Sequence, residues 1–142
     1  MKSVSTIVLL VGFFCSCGFL KKDNALKMEE PSVVLVGTNW FLTSLNNKAI
    51  EIDALQPIKI KINDDNTFKG FAGCNQFWGV YKTMQTQINF SNINRTKMSC
   101  AKIKIENELT DVLRTAQGYL INGNQLQLIN KQGEVIAIFQ AT

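Results

Sequence analysis

The chain has 142 residues, of which 46% are hydrophobic and 18% charged, and a formal net charge of +4 at pH 7. That length holds one domain with a core of ordinary size. The absence of histidine excludes Cys-His and Ser-His catalysis and the commonest metal ligand. The mild positive charge is scattered rather than clustered as in a nucleic-acid binder, so no nucleic acid is expected as a partner.

In chain order, Met1-Lys2 precedes STIVLLVGFFCSC, an uncharged stretch from Ser3 to Cys17 that Lys21-Lys22 soon interrupts. A membrane span needs about 20 apolar residues, so this run reads as a secretory leader. Phe14-Cys15-Ser16-Cys17 resembles a bacterial lipobox, with Ser16 as the small residue before the cysteine that is lipidated. Residues 1–16 are thus predicted to be a lipoprotein signal peptide and Cys17 the acylated (for example palmitate-bearing) N-terminus. Residues 17–35 form a tether and 36–142 the folded domain. The predicted address is the cell envelope, anchored in a membrane and facing the periplasm or the exterior. Lys21, Lys22 and Lys27 are placed to touch anionic headgroups near that anchor.

From Gly37 onward the dominant period is two. NWFLTSL at 39–45 is a strand that Asn46-Asn47-Lys48 turns toward Ile50 and Ile52. PIKIKIN puts Ile58, Ile60 and Ile62 on one face and Lys59 and Lys61 on the other. NDDN then supplies turn residues before TFKGF, which makes a hairpin. GFAGCNQFWGVY, Gly70 to Tyr81, reads as a sharp corner: Gly70, Gly73 and Gly79 permit conformations or close approaches that a side chain blocks. Phe77, Trp78 and Tyr81 beyond it do not simply alternate, and they are a candidate aromatic binding surface. A helix is predicted over 101–117, with Ile105, Leu109, Val112, Leu113 and Ala116 as one stripe, Glu106 and Glu108 near its positive start and Gly118 closing it. YLINGNQLQLINKQGEVIAIF is three short strands, with Leu126 and Leu128 on one side. The fold class is α+β: a small, strongly curved antiparallel sheet or partly open β-barrel with one helix packed against it.

Few groups suit catalysis. Asp64-Asp65 belongs to a turn, and Glu106, Glu108 and Asp111 read as structural or solvated. Of the four cysteines, Cys15 leaves with the leader and Cys17 takes lipid, so Cys74 and Cys100 remain in an exported domain. They are read as a disulfide, as two buried thiols packed together, or as a reactive thiol with Cys100 activated near a helix N-terminus. Two cysteines are too few for a structural zinc site; no metal and no cofactor are expected.

Certain residues match a known pattern: Gly37, Thr38, Trp40 and Leu42; then Gly73, Cys74, Asn75, Phe77, Gly79 and Tyr81; then Thr96, Met98 and Cys100. Glu106, Leu109 and Leu113 follow, and finally Gly123, Leu126 and Leu128. Together they resemble the META domain family, which includes bacterial heat-shock lipoproteins of the HslJ type. The likeness runs from about Gly37 to Phe139, with Lys97 where the family often has arginine. The resemblance implies a sheet-and-helix fold similar to lipid-binding secretin pilot lipoproteins, a link to stress or antibiotic tolerance, and no catalytic reaction. It also implies that Gly73, Cys74, Asn75, Gly79, Thr96, Met98 and Cys100 are fold signature. The function expected is a monomeric, non-enzymatic binding module that engages a protein partner or an apolar ligand. The alternatives are a thiol-redox protein or enzyme using Cys74 or Cys100, and an exported hydrolase inhibitor.

Overall fold

The computed structural model of the chain describes residues 33–100 and 103–142. The leader, Cys17, most of the tether, and Ala101 and Lys102 lie outside the described residues. Nine strands and one helix follow in order: β1 (Asn39–Leu45), β2 (Lys48–Ala49), β3 (Lys59–Ile62), β4 (Thr67–Phe71), β5 (Gln76–Met84), β6 (Gln87–Arg95), α1 (Ile103–Thr115), β7 (Gly118–Asn122), β8 (Gln125–Ile129) and β9 (Val135–Ala141). The strands form one antiparallel sheet in the order β2-β1-β3-β4-β5-β6-β7-β8-β9, and β1 also pairs with β9. That second pairing bends the sheet into a ring. The ring is not a complete barrel, because β6 and β7 register only at Gln87 and Gly118. Helix α1 lies in the connection between those two strands and packs on β6 and β1.

The alternating strands turn their apolar positions inward. Trp40, Phe139, Leu42, Leu45, Ile60, Ile62, Phe68, Ile88, Leu126 and Leu128 are at most 2% exposed, so side chains fill the ring. The Trp40 indole N–H donates to the Leu35 carbonyl at 3.0 Å, which satisfies its polar edge inside the core. From α1, Leu109, Val112 and Leu113 are buried, as is Ala116 just after it, and Ile105 is packed against the same cluster.

Two glycines make the curvature possible. A Cβ on Gly70 would stand 2.3 Å from the Phe77 ring and 2.4 Å from the Lys59 carbonyl oxygen; on Gly79 it would stand 2.7 Å from the Ser91 oxygen and 2.8 Å from the Phe68 ring. Large rings therefore cover the bare backbone where the sheet bends most. Opposite Gly79 the register slips between Trp78 and Val80. The extra residue is on β6, where Asn92 has φ +51°, a bulge that adds to the bend. Asn46 and Asn47, with φ of 47° and 62°, make the tight turn from β1 to β2 as the double-positive geometry requires.

Several details differ from the sequence-based reading. The long hairpin β5–β6 extends through Arg95, where the expected corner ended at Tyr81; asparagine and glutamine, poor strand formers, mask the alternation of Ile88 and Phe90. The arm after β1 pairs only over Lys48–Ala49, and Ile52 is 57% exposed. Gly118 is not a left-handed helix cap: it begins β7, opposite Ile129.

Candidate functional site

Of the signature residues, Gly73, Cys74, Asn75, Thr96, Met98 and Cys100 converge on one knot around the buried Asn75, while Gly79 lies apart on β5 against Ser91 and Phe68. The turn before β5 closes with the Ala72 N–H donating to the Asn75 carbonyl at 2.9 Å, and Gly73 has φ +88°, a left-handed conformation that favours glycine. This turn drives Asn75 to 1% exposure. Its Oδ1 accepts from Thr96 Oγ1 and from the Met98 N–H, both at 2.7 Å. Its Nδ2 donates to the Met98 carbonyl at 3.0 Å and to Glu106 Oε1 at 3.1 Å. The Asn75 backbone N–H donates to Glu106 Oε2 at 3.1 Å. Beside this, Cys74 and Cys100 are joined by a disulfide with Cα atoms 6.1 Å apart. One side chain thus fastens the turn, the strand leaving β6 and the helix.

Of the two readings of Glu106, structural or solvated, the structure bears out the first. It is not solvated: it is fully buried, and counting from it Leu109 and Leu113 fall at i+3 and i+7, on the apolar stripe. A buried carboxylate needs a partner charge and hydrogen bonds. Arg95 supplies the first, with Nη1 2.9 Å from Glu106 Oε1 and 2.6 Å from Asn107 Oδ1; Asn75 supplies the rest. Met98 occupies its place through its backbone, since both its N–H and its carbonyl bind Asn75 while its side chain is among the exposed hydrophobics at 62%. Among the described residues no buried side-chain polar atom of the knot lacks a hydrogen-bond partner, so these groups are engaged with one another. Among the described residues no group of three or more His, Cys, Asp or Glu side chains could hold a metal.

The three aromatic candidates separate. They do alternate along β5, so Phe77 and Tyr81 enter the core at 3% and 4% exposure while Trp78 faces out at 45%. The Tyr81 hydroxyl donates to the Asn63 carbonyl at 2.7 Å. Burial, with the charges of Asp65 and Asp64 nearby, holds the Tyr81 phenol above its usual value near 10. Phe77 and Tyr81 are therefore removed from the candidate surface by the strand's own period.

Trp78 instead belongs to a groove on the outer face of the ring that the sequence reading did not assemble. Register carries one row across four strands: Asn39 opposes Lys61, Lys61 opposes Lys69, and Lys69 opposes Trp78. Lys59 and Phe71 oppose each other in the next row of that face. Leu55 and Pro57, on the loop before β3, complete a groove of about 680 Å³. No carboxylate lines it, and among the described residues none of the three lysines is ion-paired. Two acids stand outside the lining: Asp53, whose Oδ1 accepts from the Leu55 and Gln56 N–H groups at 2.9 and 3.1 Å, and Asp65 in the β3–β4 turn, whose carboxyl is held below the usual range by hydrogen bonds from the Thr67 hydroxyl and N–H and by the charge of Lys69. Lys59 and Lys61 were visible in sequence as the wet face of a strand, but only pairing brings them beside Lys69 and Trp78.

The chain resembles solved structures at the level of fold. An NMR structure of a protein from Burkholderia xenovorans matches with a TM-score of 0.60 and 22% identity over 76% of this chain and 83% of that one. A second NMR structure gives 0.61 and 22% over 75% and 90%. A crystal structure of a DUF4847-family protein from Bacteroides vulgatus gives 0.57 and 16% over 75% and 94%. No curated protein matches significantly. The model of the META domain matches residues 33–142, the whole ring and its helix, and the chain therefore belongs to the META domain family.

Proposed function

We propose that the protein is a non-enzymatic binding module of the cell envelope, held to a membrane by lipid on Cys17, which engages its partner or apolar ligand through the outer groove around Trp78. The observation that carries this reading is the division of polar groups. The side chains of Asn75, Thr96 and Glu106 are spent on one another, with Asn75 and Glu106 buried, whereas three lysines and an indole line an outer groove together. The filled interior favours a surface site over a ligand held inside the ring. The META domain is not a known enzyme family, in keeping with a chain that lacks histidine. A role in stress or antibiotic tolerance belongs to the same reading.

The test is to extract the native protein from membranes with mild detergent and to analyse it by mass spectrometry. The reading expects an acylated N-terminus at Cys17 and a co-purifying species that a Trp78→Ala, Lys69→Glu variant loses. An unacylated mature chain would remove the anchor, and retention of the same species by the variant would remove the groove.

A further inference from the structure

We infer that the occupant of the groove is an anionic phospholipid bilayer: the face formed by β1, β3, β4 and β5 is the one the domain lays on the membrane that anchors it. This rests on the anchored-module reading above and names the partner of that same site.

Three independent features point to such a surface. The first is charge. Lys61 and Lys69 stand directly opposite each other in the sheet, a like-charge pairing that is unfavourable unless a counter-charge is present; no acid lines the groove, and Asp65, in the β3–β4 turn outside it, acts on Lys69 alone of the three lysines. An anionic partner supplies that counter-charge. The second is the kind of apolar group on display. Leu55 is 92% exposed and shares the groove with the half-exposed Trp78. A tryptophan among lysines at a rim suits the boundary between headgroups and acyl chains, where an indole keeps one edge wet. A protruding leucine gains from acyl chains, whereas a hydrophilic glycan has nothing to bury it against. The third is where the chain enters the domain. Val36 bridges to Ile62, the Gly37 N–H donates to the Ile62 carbonyl at 2.8 Å, and Asn39 pairs with Lys61. The segment arriving from Cys17 therefore joins the fold beside β3, one residue along that strand from Lys61. The 15 residues between Cys17 and Val33 span at most about 50 Å, so the anchor keeps this face within reach of the bilayer.

The two tryptophans of the chain make the docked state readable. Trp40 is fully buried and Trp78 is 45% exposed, so quenching by acrylamide reports Trp78. The mature acylated protein would be reconstituted into vesicles of phosphatidylcholine alone or with 30% phosphatidylglycerol, and vesicle attachment checked by flotation. The inference expects flotation with both. It expects Trp78 to be shielded and blue-shifted only on the anionic vesicles, with shielding lost in high salt. Lys59→Gln, Lys61→Gln and Lys69→Gln should each lower the docked-to-undocked ratio about fivefold, and the triple variant on the order of a hundredfold, with flotation unchanged. A protein that floats while its Trp78 stays open to acrylamide on both vesicles overturns docking and leaves the anchor standing. Failure to float overturns the anchored reading itself. Shielding of Trp78 by a soluble polyanionic glycan, but not by anionic vesicles, overturns the bilayer as occupant in favour of a glycan.

Discussion

Replacing Asn75 by alanine removes a side chain that closes four hydrogen bonds, to Thr96 Oγ1, the Met98 N–H, the Met98 carbonyl and Glu106 Oε1. A neutral intramolecular hydrogen bond contributes about 1 kcal/mol net, and one to a charged group about 1.5–3. Met98 also loses its partner for both backbone groups, and the Glu106 carboxylate, already desolvated, loses one of its donors. The summed loss is about 4–6 kcal/mol, a large share of the roughly 5–15 kcal/mol that holds a domain of this size. The melting temperature should fall by about 15–25 °C. Asn75→Asp separates hydrogen bonding from shape. The new carboxyl keeps the acceptor for Thr96 and Met98 but turns an oxygen toward the Met98 carbonyl and Glu106, and so it needs a proton. Its pKa in the fold is raised, the folded state then binds more protons than the unfolded one, and stability falls as pH rises above about 4. Urea unfolding at pH 4.5 and pH 8 should therefore show the variant closer to the parent at the lower pH. A loss below about 1 kcal/mol for Asn75→Ala, or a flat pH response for Asn75→Asp, would refute the buried knot.

Reduction of the disulfide between Cys74 and Cys100, which closes a separation of 26 residues, should cost about 3.5 kcal/mol by the chain-entropy relation; thermal melts with and without reductant, with thiol counting before and after denaturation, measure it. Gly79→Ala should destabilise by about 2–3 kcal/mol, because its Cβ meets the Ser91 oxygen and the Phe68 ring within 2.8 Å; equilibrium unfolding decides this, and a neutral result would mean that the sheet is flatter there. The Tyr81 phenol should ionise only above pH 10, so the stability its burial provides is intact below pH 10 and is lost as pH rises through the folded value. Ultraviolet titration of the parent against Tyr81→Phe reads that late phase directly.

The parts of the fold legible in sequence are those where one strand's own pattern carries the information. Ile58, Ile60 and Ile62 declare an inner face, Asn46 and Asn47 a tight turn, and Leu109, Val112 and Leu113 a helix stripe. Where side chains contradict their local pattern, the reading failed or stayed open. Ile88 and Phe90 lie among asparagines and glutamines that disguise a nine-residue strand. Glu106 looks like a helix-start carboxylate, and only its spacing from Leu109 and Leu113 betrays that it points inward. The groove is a different case: Lys61, Lys69 and Trp78 are neighbours solely through register across β3, β4 and β5, and that register is set by the geometry of the two turns joining the strands, which the turn residues announce without fixing.

The account's central claim is that binding occurs on the outer face while the signature residues serve only as scaffold. Amide hydrogen exchange of the mature acylated protein, free in detergent and reconstituted in its membrane, tests it most directly. The account predicts new protection over Lys59–Ile62, Thr67–Phe71 and the part of β5 around Trp78, with the slow exchange of the Asn75 and Met98 amides unchanged. Protection that instead gathers at the turn before Asn75 and at the start of α1, leaving the lysine strands as before, would contradict it.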